Sequence, residues 1–354
     1  MSLQFITGGS GAGKSEYLSR LVCEESVRRP HDNFIVVVPE QYTMETQKKL
    51  VHMHSRKGIL NIDVVSFERL AYKVFEELGG GNRPVLDDTG KNLIVRRVLE
   101  KEKKKLDYFG SSIEKTGFVS ELKSVISELL QYGITPQQLG EIGENVKEKQ
   151  QLSAKLKDIR LVYKEFMAFL STNYITSEEI LDVLCGLVEK SKLIAGSEII
   201  FDGFTGFTPI QYKLMRLLLV YSKGIKISVT IDKKERPTGH EGWNNLFFMS
   251  KEMMNRLIAI CEEEGINVDD TVCVDRDINY RYEGAKDLAY LERNLFRYKG
   301  GVYTGTPENI RIYEGSNPKE ELQYIVSEIL QLTRKEGFRY RDIAVVTADL
   351  ETYG

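Results

Sequence analysis

The stretch Gly8-Gly9-Ser10-Gly11-Ala12-Gly13-Lys14-Ser15 constrains this chain more than any other. Its spacing is G-x-x-x-x-G-K-[ST], a loop whose glycines let successive backbone N–H groups converge on one phosphate. Leu3-Gln4-Phe5-Ile6-Thr7 before it is a short apolar strand candidate. Lys14 to Val27 after it reads as a helix with Tyr17, Leu18, Leu21 and Val22 on one face. Strand, glycine loop and helix in that order set the positive end of a helix against an anion. The pattern predicts a site for ATP and Mg²⁺, with Gly8, Gly9, Ser10, Gly11, Ala12, Gly13, Lys14 and Ser15 as the cradle. In it Lys14 reaches the β- and γ-phosphates and the Ser15 hydroxyl holds the metal.

Further strands must surround such a loop. Phe34-Ile35-Val36-Val37-Val38 is a continuous β-branched run, the mark of a strand buried on both faces of a parallel sheet. Ile62-Asp63-Val64-Val65-Ser66 is a third strand, with Ser66 placed to cap the helix that opens at Phe67. Alternation of this kind implies right-handed βαβ units. Gly79-Gly80-Gly81-Asn82-Arg83-Pro84 then breaks the pattern, and from Val85 to Ala195 the spacing is helical with no convincing strand. One stripe is Phe118, Leu122, Val125, Ile126, Leu129 and Leu130; another is Leu156, Ile159, Tyr163, Phe166 and Leu170. The charge run Lys101 to Lys105 inside this stretch reads as a solvated helix end.

The sheet resumes at Glu198-Ile199-Ile200-Phe201-Asp202. A hydrophobic strand ending in Asp, downstream of a phosphate loop, makes Asp202 the second candidate Mg²⁺ ligand. A helix is expected from Pro209 to Tyr221 and a buried strand over Lys226 to Asp232. The single tryptophan, Trp243, reads as a packing residue, with base stacking the alternative. A new unit starts near Pro307. It has a strand at Ile310–Tyr313, a helix opened by Asn317-Pro318-Lys319-Glu320 as a capping box, and a strand over Arg341 to Thr347.

Composition narrows the class. With 354 residues, 42% hydrophobic and 29% charged, the chain has material for two or three domains. A net charge of −3 gives no global field for nucleic acid, so a DNA contact needs a local groove. The four cysteines lie far apart without C-x-x-C spacing, which argues against zinc, an iron–sulfur cluster or a disulfide framework and fits a reducing, cytoplasmic setting. No apolar run is long enough to span a membrane, so no membrane association is expected.

Taken together, the N-terminal phosphate loop, Val38-Pro39-Glu40-Gln41, Val65-Ser66-Phe67-Glu68-Arg69-Leu70-Ala71, Phe201-Asp202-Gly203-Phe204-Thr205-Gly206-Phe207-Thr208-Pro209 and Tyr340-Arg341-Asp342-Ile343-Ala344-Val345 follow the order of a superfamily 1 helicase. The set resembles the AddB subunits of AddAB-type helicase–nucleases, which process double-strand DNA breaks. The resemblance implies an α/β, RecA-like P-loop NTPase fold with a parallel sheet, a large helical insertion and the start of a second α/β motor-like domain. Residues 1–83 and 196–305 would form the first motor domain, 84–195 the accessory insertion, and 306–354 the beginning of the second, truncated, in a chain that is the N-terminal part of a longer protein. It also implies single- and double-stranded DNA as partners, an AddA-type helicase–nuclease subunit as the other half of a heterodimer, and an iron–sulfur cluster only in a C-terminal nuclease region beyond this sequence. The family's strand-contacting motifs fall on Gln41, Ser66, Phe67 and Arg69.

A working motor of this superfamily has Asp-Glu where this chain has Asp202-Gly203. It has a Gln after the next strand, where Val229-Thr230-Ile231-Asp232 offers none, and an Arg where Thr347-Ala348-Asp349 follows the last strand. Each missing group would have positioned water or stabilised transition-state charge. Binding with poor turnover is therefore expected, and no catalytic residue is assigned. The competing reading is a P-loop small-molecule kinase or another nucleotide-dependent enzyme that does not act on DNA. Against it stand the long helical insertion and a sheet that starts anew at the end of the chain.

Overall fold

The computed structural model describes residues 1–79, 84–115, 117–146, 149–176, 179–235, 239, 242–297 and 300–353. Most of the expected breaker cluster, 80–83, lies outside them. The strands are β1 (Ser2–Gly8), β2 (Asn33–Val37), β3 (Ile62–Val65), β4 (Val85–Leu86), β5 (Ile175–Thr176), β6 (Ser197–Phe201), β7 (Gly224–Thr230), β8 (Asn267–Val268) and β9 (Val272–Cys273). The helices are α1 (Lys14–Arg28), α2 (Thr43–Met53), α3 (Phe67–Leu78), α4 (Asp88–Glu102), α5 (Phe118–Gln131), α6 (Pro136–Asn145) and α7 (Gln150–Asn173). They continue with α8 (Ile180–Cys185), α9 (Lys192–Ala195), α10 (Pro209–Tyr221), α11 (Phe248–Glu264), α12 (Lys286–Asn294), α13 (Pro318–Lys335) and α14 (Leu350–Tyr353).

Among the described residues a seven-stranded, all-parallel sheet runs β3-β2-β6-β7-β1-β8, with β9 also on β1. The period of two sorts its apolar residues into two cores. Ile6, Phe34, Val36 and Ile200 face Leu18 and Val22 of α1 and Leu50 of α2. Phe5, Ile35, Val37, Phe201 and Ile227 face Leu70 and Val74 of α3, Leu184 of α8, Leu214 and Leu218 of α10 and Leu257 of α11. Each such fully buried side chain contributes about 1.5–3 kcal/mol, so an all-apolar strand is stable only between two helical layers. The Ser66 cap falls where the sequence puts it, and α10 opens on a box of its own. Ser66 accepts from Arg69 N, and Thr208 and Gln211 form a complete capping box with Pro209 at the first turn.

α4 to α7 enclose a separate core of Val95, Leu99, Leu122, Ile126, Val162, Tyr163, Phe166 and Leu170. The Tyr163 hydroxyl donates to the Ile134 carbonyl at 2.9 Å. The carboxylate of Asp158, 1% exposed, accepts from the backbone N–H groups of Asp107, Tyr108 and Phe109. Contrary to the all-helical expectation, β4 and β5 pair in parallel at the neck of this region; two-residue strands carry no readable periodicity. Lys101, Lys103 and Lys105 are exposed and paired with Glu165, Glu114 and Glu102.

Contacts divide the chain into Met1–Arg281 and Tyr282–Gly354. In the second unit Asp287 of α12 accepts from the backbone N–H groups of Glu308 and Asn309 and from Asn309 Nδ2. The expected strands at Ile310–Tyr313 and Arg341–Thr347 are not formed: Ile312 is 94% and Val346 92% exposed. Their composition suits a strand, but a strand is held by ladder bonds to a neighbour, and the described residues supply none. Asn317 caps α13, yet the Glu320 carboxylate accepts from Ser316 N, so the box is not closed on Asn317. Trp243 is a further correction. It is 86% exposed, because it lies in the loop ahead of α11 with no helical face to turn inward.

Candidate nucleotide site

Because the strands are parallel, their carboxyl ends share one edge of the sheet, where ligands of open α/β folds bind. The pairs Gly8↔Thr230, Phe201↔Ile227 and Val37↔Phe201 align the ends of β1, β7, β6 and β2 there. From that edge emerge the glycine loop, Asp202 and Thr230.

The loop turns from β1 directly into α1. Lys14 Nζ donates to the carbonyls of Gly8 and Gly9, both at 2.9 Å, which folds the ammonium over the loop. Ser10, Gly11, Gly13, Lys14 and Ser15 line a pocket of about 330 Å³ together with Asp202, Ser228 and Thr230. The loop and the strand-end aspartate, separated by nearly two hundred positions (P-loop at 8–15, aspartate at 202), thus meet in one place. Ala12 is buried beside them and lines the adjoining cavity. One carboxylate oxygen of Asp202 accepts from Ser228 Oγ at 2.5 Å, and Ser228 Oγ in turn accepts from Gly203 N at 3.3 Å. Gly203 has φ +84°, a left-handed backbone.

Ser15 and Asp202 offer only oxygen donors, the set a hard divalent cation takes. Among the described residues no three His, Cys, Asp or Glu side chains form a cluster able to hold a metal by themselves. A cation at this spot therefore suits phosphate oxygens as its remaining ligands. Three of the four cysteines are buried and only Cys273 is exposed; burial pushes the Cys185 and Cys261 thiols up to about 11.

A segment that sequence reasoning passed over completes the site. Asn279 Nδ2 donates to the Ser10 carbonyl at 3.4 Å, Arg281 N to the Gly11 carbonyl at 3.3 Å, and Arg281 Nη1 to Ser10 Oγ at 3.2 Å. A Cβ on Gly11 would sit 2.4 Å from the Arg281 Cβ, and its φ is +73°, so both space and backbone demand glycine. Arg281 lines the pocket of about 330 Å³, and Tyr280, stacked under the Arg276 guanidinium at 4.1 Å, lines a neighbouring cavity of about 650 Å³. Gly13 and Glu16 border both spaces. The only signal in the sequence was a polar–aromatic–basic triplet in an irregular stretch. It gains meaning once β9 is seen to pair with β1 at Thr7↔Cys273.

The four strand-contact candidates lie away from this pocket, after β2 and β3. Gln41 is exposed, in the turn Glu40–Tyr42. Arg69 is 59% exposed by side chain and pairs with Glu40 at 3.0 Å. Ser66 is buried and engaged as the α3 cap. Phe67 is 7% exposed and packs on Phe201, Phe204 and Phe207 with ring centroids 5.4–6.0 Å away. Its ring is therefore covered, while Phe204 and Phe207 are half-buried.

The family model described as "ADDB, N-terminal" matches residues 5–292. The chain is 43% identical to a protein of Lachnoclostridium phytofermentans that is named as one subunit of an ATP-dependent helicase/deoxyribonuclease, aligned over all of this chain and 31% of that protein. It is 36% identical to the namesake of that protein from Caldanaerobacter subterraneus subsp. tengcongensis, over all of this chain and 30% of the relative. For the namesake from Clostridioides difficile the identity is 34%, over all of this chain and 31% of the relative. The chain thus spans about 30% of the length of the curated relatives it matches.

Proposed function

This chain belongs to the AddB N-terminal family, and on that premise we propose that it is the nucleotide- and single-strand-binding part of a helicase–nuclease subunit acting in double-strand DNA break repair beside an AddA-type partner. Membership displaces the small-molecule kinase reading. The observation that carries the proposal is the single pocket lined by Lys14, Ser15, Asp202 and Arg281.

In this reading the loop N–H groups and the N-terminus of α1 hold the triphosphate of ATP. Lys14 exchanges two neutral carbonyl acceptors for anionic phosphate oxygens, which adds an opposite charge to a bond whose donor is already charged. The Arg281 guanidinium sits where a planar fork can meet the outermost phosphate. Mg²⁺, held by Ser15 and by Asp202 through water, would neutralise phosphate charge. Turnover is poor. The pocket's carboxylates are Asp202, engaged by Ser228, and Glu16, which Lys49 and Arg20 hold at 3.1 and 3.2 Å. Those cations keep the Glu16 carboxyl below its usual value, Lys49 foremost. In this reading Asp202 is committed to the metal and Glu16 to its two cations, which leaves no second carboxylate lining the pocket to orient an attacking water. Glu40, which follows β2, pairs with Arg69 and does not line the pocket.

Single-stranded DNA is read as crossing the ends of β2 and β3, where Gln41 and Arg69 are exposed. A base there meets the half-buried Phe204 and Phe207 before the covered Phe67.

The test is calorimetry of ATP with Mg²⁺ on wild type and Lys14→Ala. Loss of a charged phosphate contact, about 1.5–3 kcal/mol, predicts roughly tenfold to hundredfold weaker binding. Equal affinities would end the nucleotide reading. Brisk DNA-stimulated hydrolysis, abolished by the same substitution, would end the claim of a degenerate motor.

A further inference from the structure

We infer that Ser228 is a positioning residue: its hydroxyl fixes the Asp202 carboxylate relative to the glycine loop, and through that contact sets how strongly nucleotide binding depends on Mg²⁺. The inference rests on the nucleotide and Mg²⁺ reading above. It adds a residue that lies in neither the glycine loop nor the strand ending in aspartate and that acts through another side chain.

The sheet order places β7 between β6, which runs into Asp202, and β1, which opens into the glycine loop. Phe201 pairs with Ile227, so the next position, Ser228, stands level with Asp202; on its other side Ser228 pairs with Ile6. The period of two puts Ser228 on the face that carries Ile6 and Ile200. On that apolar face a hydroxyl only 4% exposed costs free energy unless its bonds are made.

Both of its bonds go to the turn that follows β6. Gly203 N donates to Ser228 Oγ at 3.3 Å, and Ser228 Oγ donates to Asp202 Oδ1 at 2.5 Å. A serine has one hydrogen to give, and here the carboxylate takes it, in the stronger, charge-assisted kind of bond. The backbone anchors this bridge at both ends, Ser228 by parallel pairing to β1 and Gly203 by its φ of +84°. Among the described residues no cation pairs with Asp202, and Ser228 is the side chain that bonds it. The torsions of Asp202 are therefore held by one hydroxyl. With Oδ1 so engaged, Oδ2 is the oxygen left for a ligand in the pocket that Asp202 shares with Lys14 and Ser15. Partners of this kind, bonded to a metal-ligating side chain, are worth about 10–100-fold in metal affinity.

The experiment measures the dissociation constant of ATP on the intact chain in excess Mg²⁺ and in EDTA, by competition against a ribose-labelled ATP analogue, and takes the ratio of the two. Wild type is expected to bind at least about tenfold more tightly with Mg²⁺. Asp202→Ala should bring the ratio close to one, and so should Ser228→Ala and Ser228→Val. Ser228→Thr, which has the shape of valine but keeps the hydroxyl, should retain the wild-type ratio. In the Asp202→Ala background Ser228→Val should change the ratio no further. A lower folded fraction weakens both constants alike and leaves their ratio intact, so a loss of stability does not mask the result. A Val variant with the wild-type ratio, a Thr variant as low as Val, or a further fall in the double variant overturns the assignment. A wild-type ratio of one removes the Mg²⁺ reading together with this inference and leaves the phosphate site standing. Failure of ATP to bind wild type at all would remove the nucleotide reading itself.

Discussion

A carboxylate introduced at Gly203 tests the proposal of a degenerate motor most sharply. Gly203→Glu puts a carboxylate where a working motor has one. The position resists it. Gly203 has φ +84°, and a Cβ there would meet the Pro39 ring at 3.4 Å, an ordinary contact distance. Space is thus available and the cost is in the backbone, about 1–2 kcal/mol for a side chain held left-handed. If the backbone relaxes instead, Gly203 N leaves Ser228 Oγ and the bond from Ser228 to Asp202 shifts with it. For a domain of this size a loss of 1 kcal/mol lowers Tm by about 2–4 °C. Gly203→Ala and Gly203→Glu should each therefore melt a few degrees below wild type. Because both carry the same Cβ, they should melt close to each other. Differential scanning calorimetry reads the first effect and a coupled ATPase assay the second, with no gain of turnover expected for the Glu variant. An Ala variant as stable as wild type, or a Glu variant that hydrolyses ATP briskly, would refute the account.

Two further outcomes follow from the geometry. Arg69 and Glu40 form an exposed pair worth at most about 1 kcal/mol, which a DNA phosphate can displace. Arg69→Ala should weaken oligonucleotide binding and make its log–log salt slope shallower by about 0.7, measured by fluorescence titration; an unchanged slope removes Arg69 from the DNA path. In the helical core, burial pushes the Tyr163 phenol up to about 12. Its folded value lies above the ordinary one near 10, so its neutral form favours the fold fully below about pH 10, and that contribution disappears as pH rises toward 12. Urea denaturation should find Tyr163→Phe less stable by about 1 kcal/mol at neutral pH, for the lost bond to Ile134. Its alkaline decline should be flatter than that of wild type, and parallel declines would contradict the assignment.

What was legible in the sequence was whatever rests on local rules. β2 was readable because Phe34 to Val37 must bury both faces, and α10 was expected from Pro209 to Tyr221, where Thr208 and Gln211 close a capping box. The glycine loop was readable because its conformation demands glycines at fixed spacing. β4, β5, β8 and β9 were not, since two residues have no period and pair only by tertiary arrangement. The same limit misjudged Ile310–Tyr313, whose apolar, β-branched make-up is a necessary condition for a strand, while the neighbour that would pair with it is set by topology.

The aromatic residues show why the site itself was only half readable. A sequence gives Phe67 two equal fates, under its helix or on a base, because both need the same ring. The structure separates them through Phe201, Phe204 and Phe207, which cover it from β6 and the loop that follows. Trp243 went the opposite way, its ring left exposed by a loop with no amphipathic period. Tyr280 and Arg281 carried no local signature, and they reach the glycine loop because β9 pairs with β1 and delivers the segment after it to Ser10 and Gly11. The glycine loop proposed to hold phosphate is thus written in one contiguous stretch, while the segment carrying Tyr280 and Arg281 is delivered to it by strand pairing.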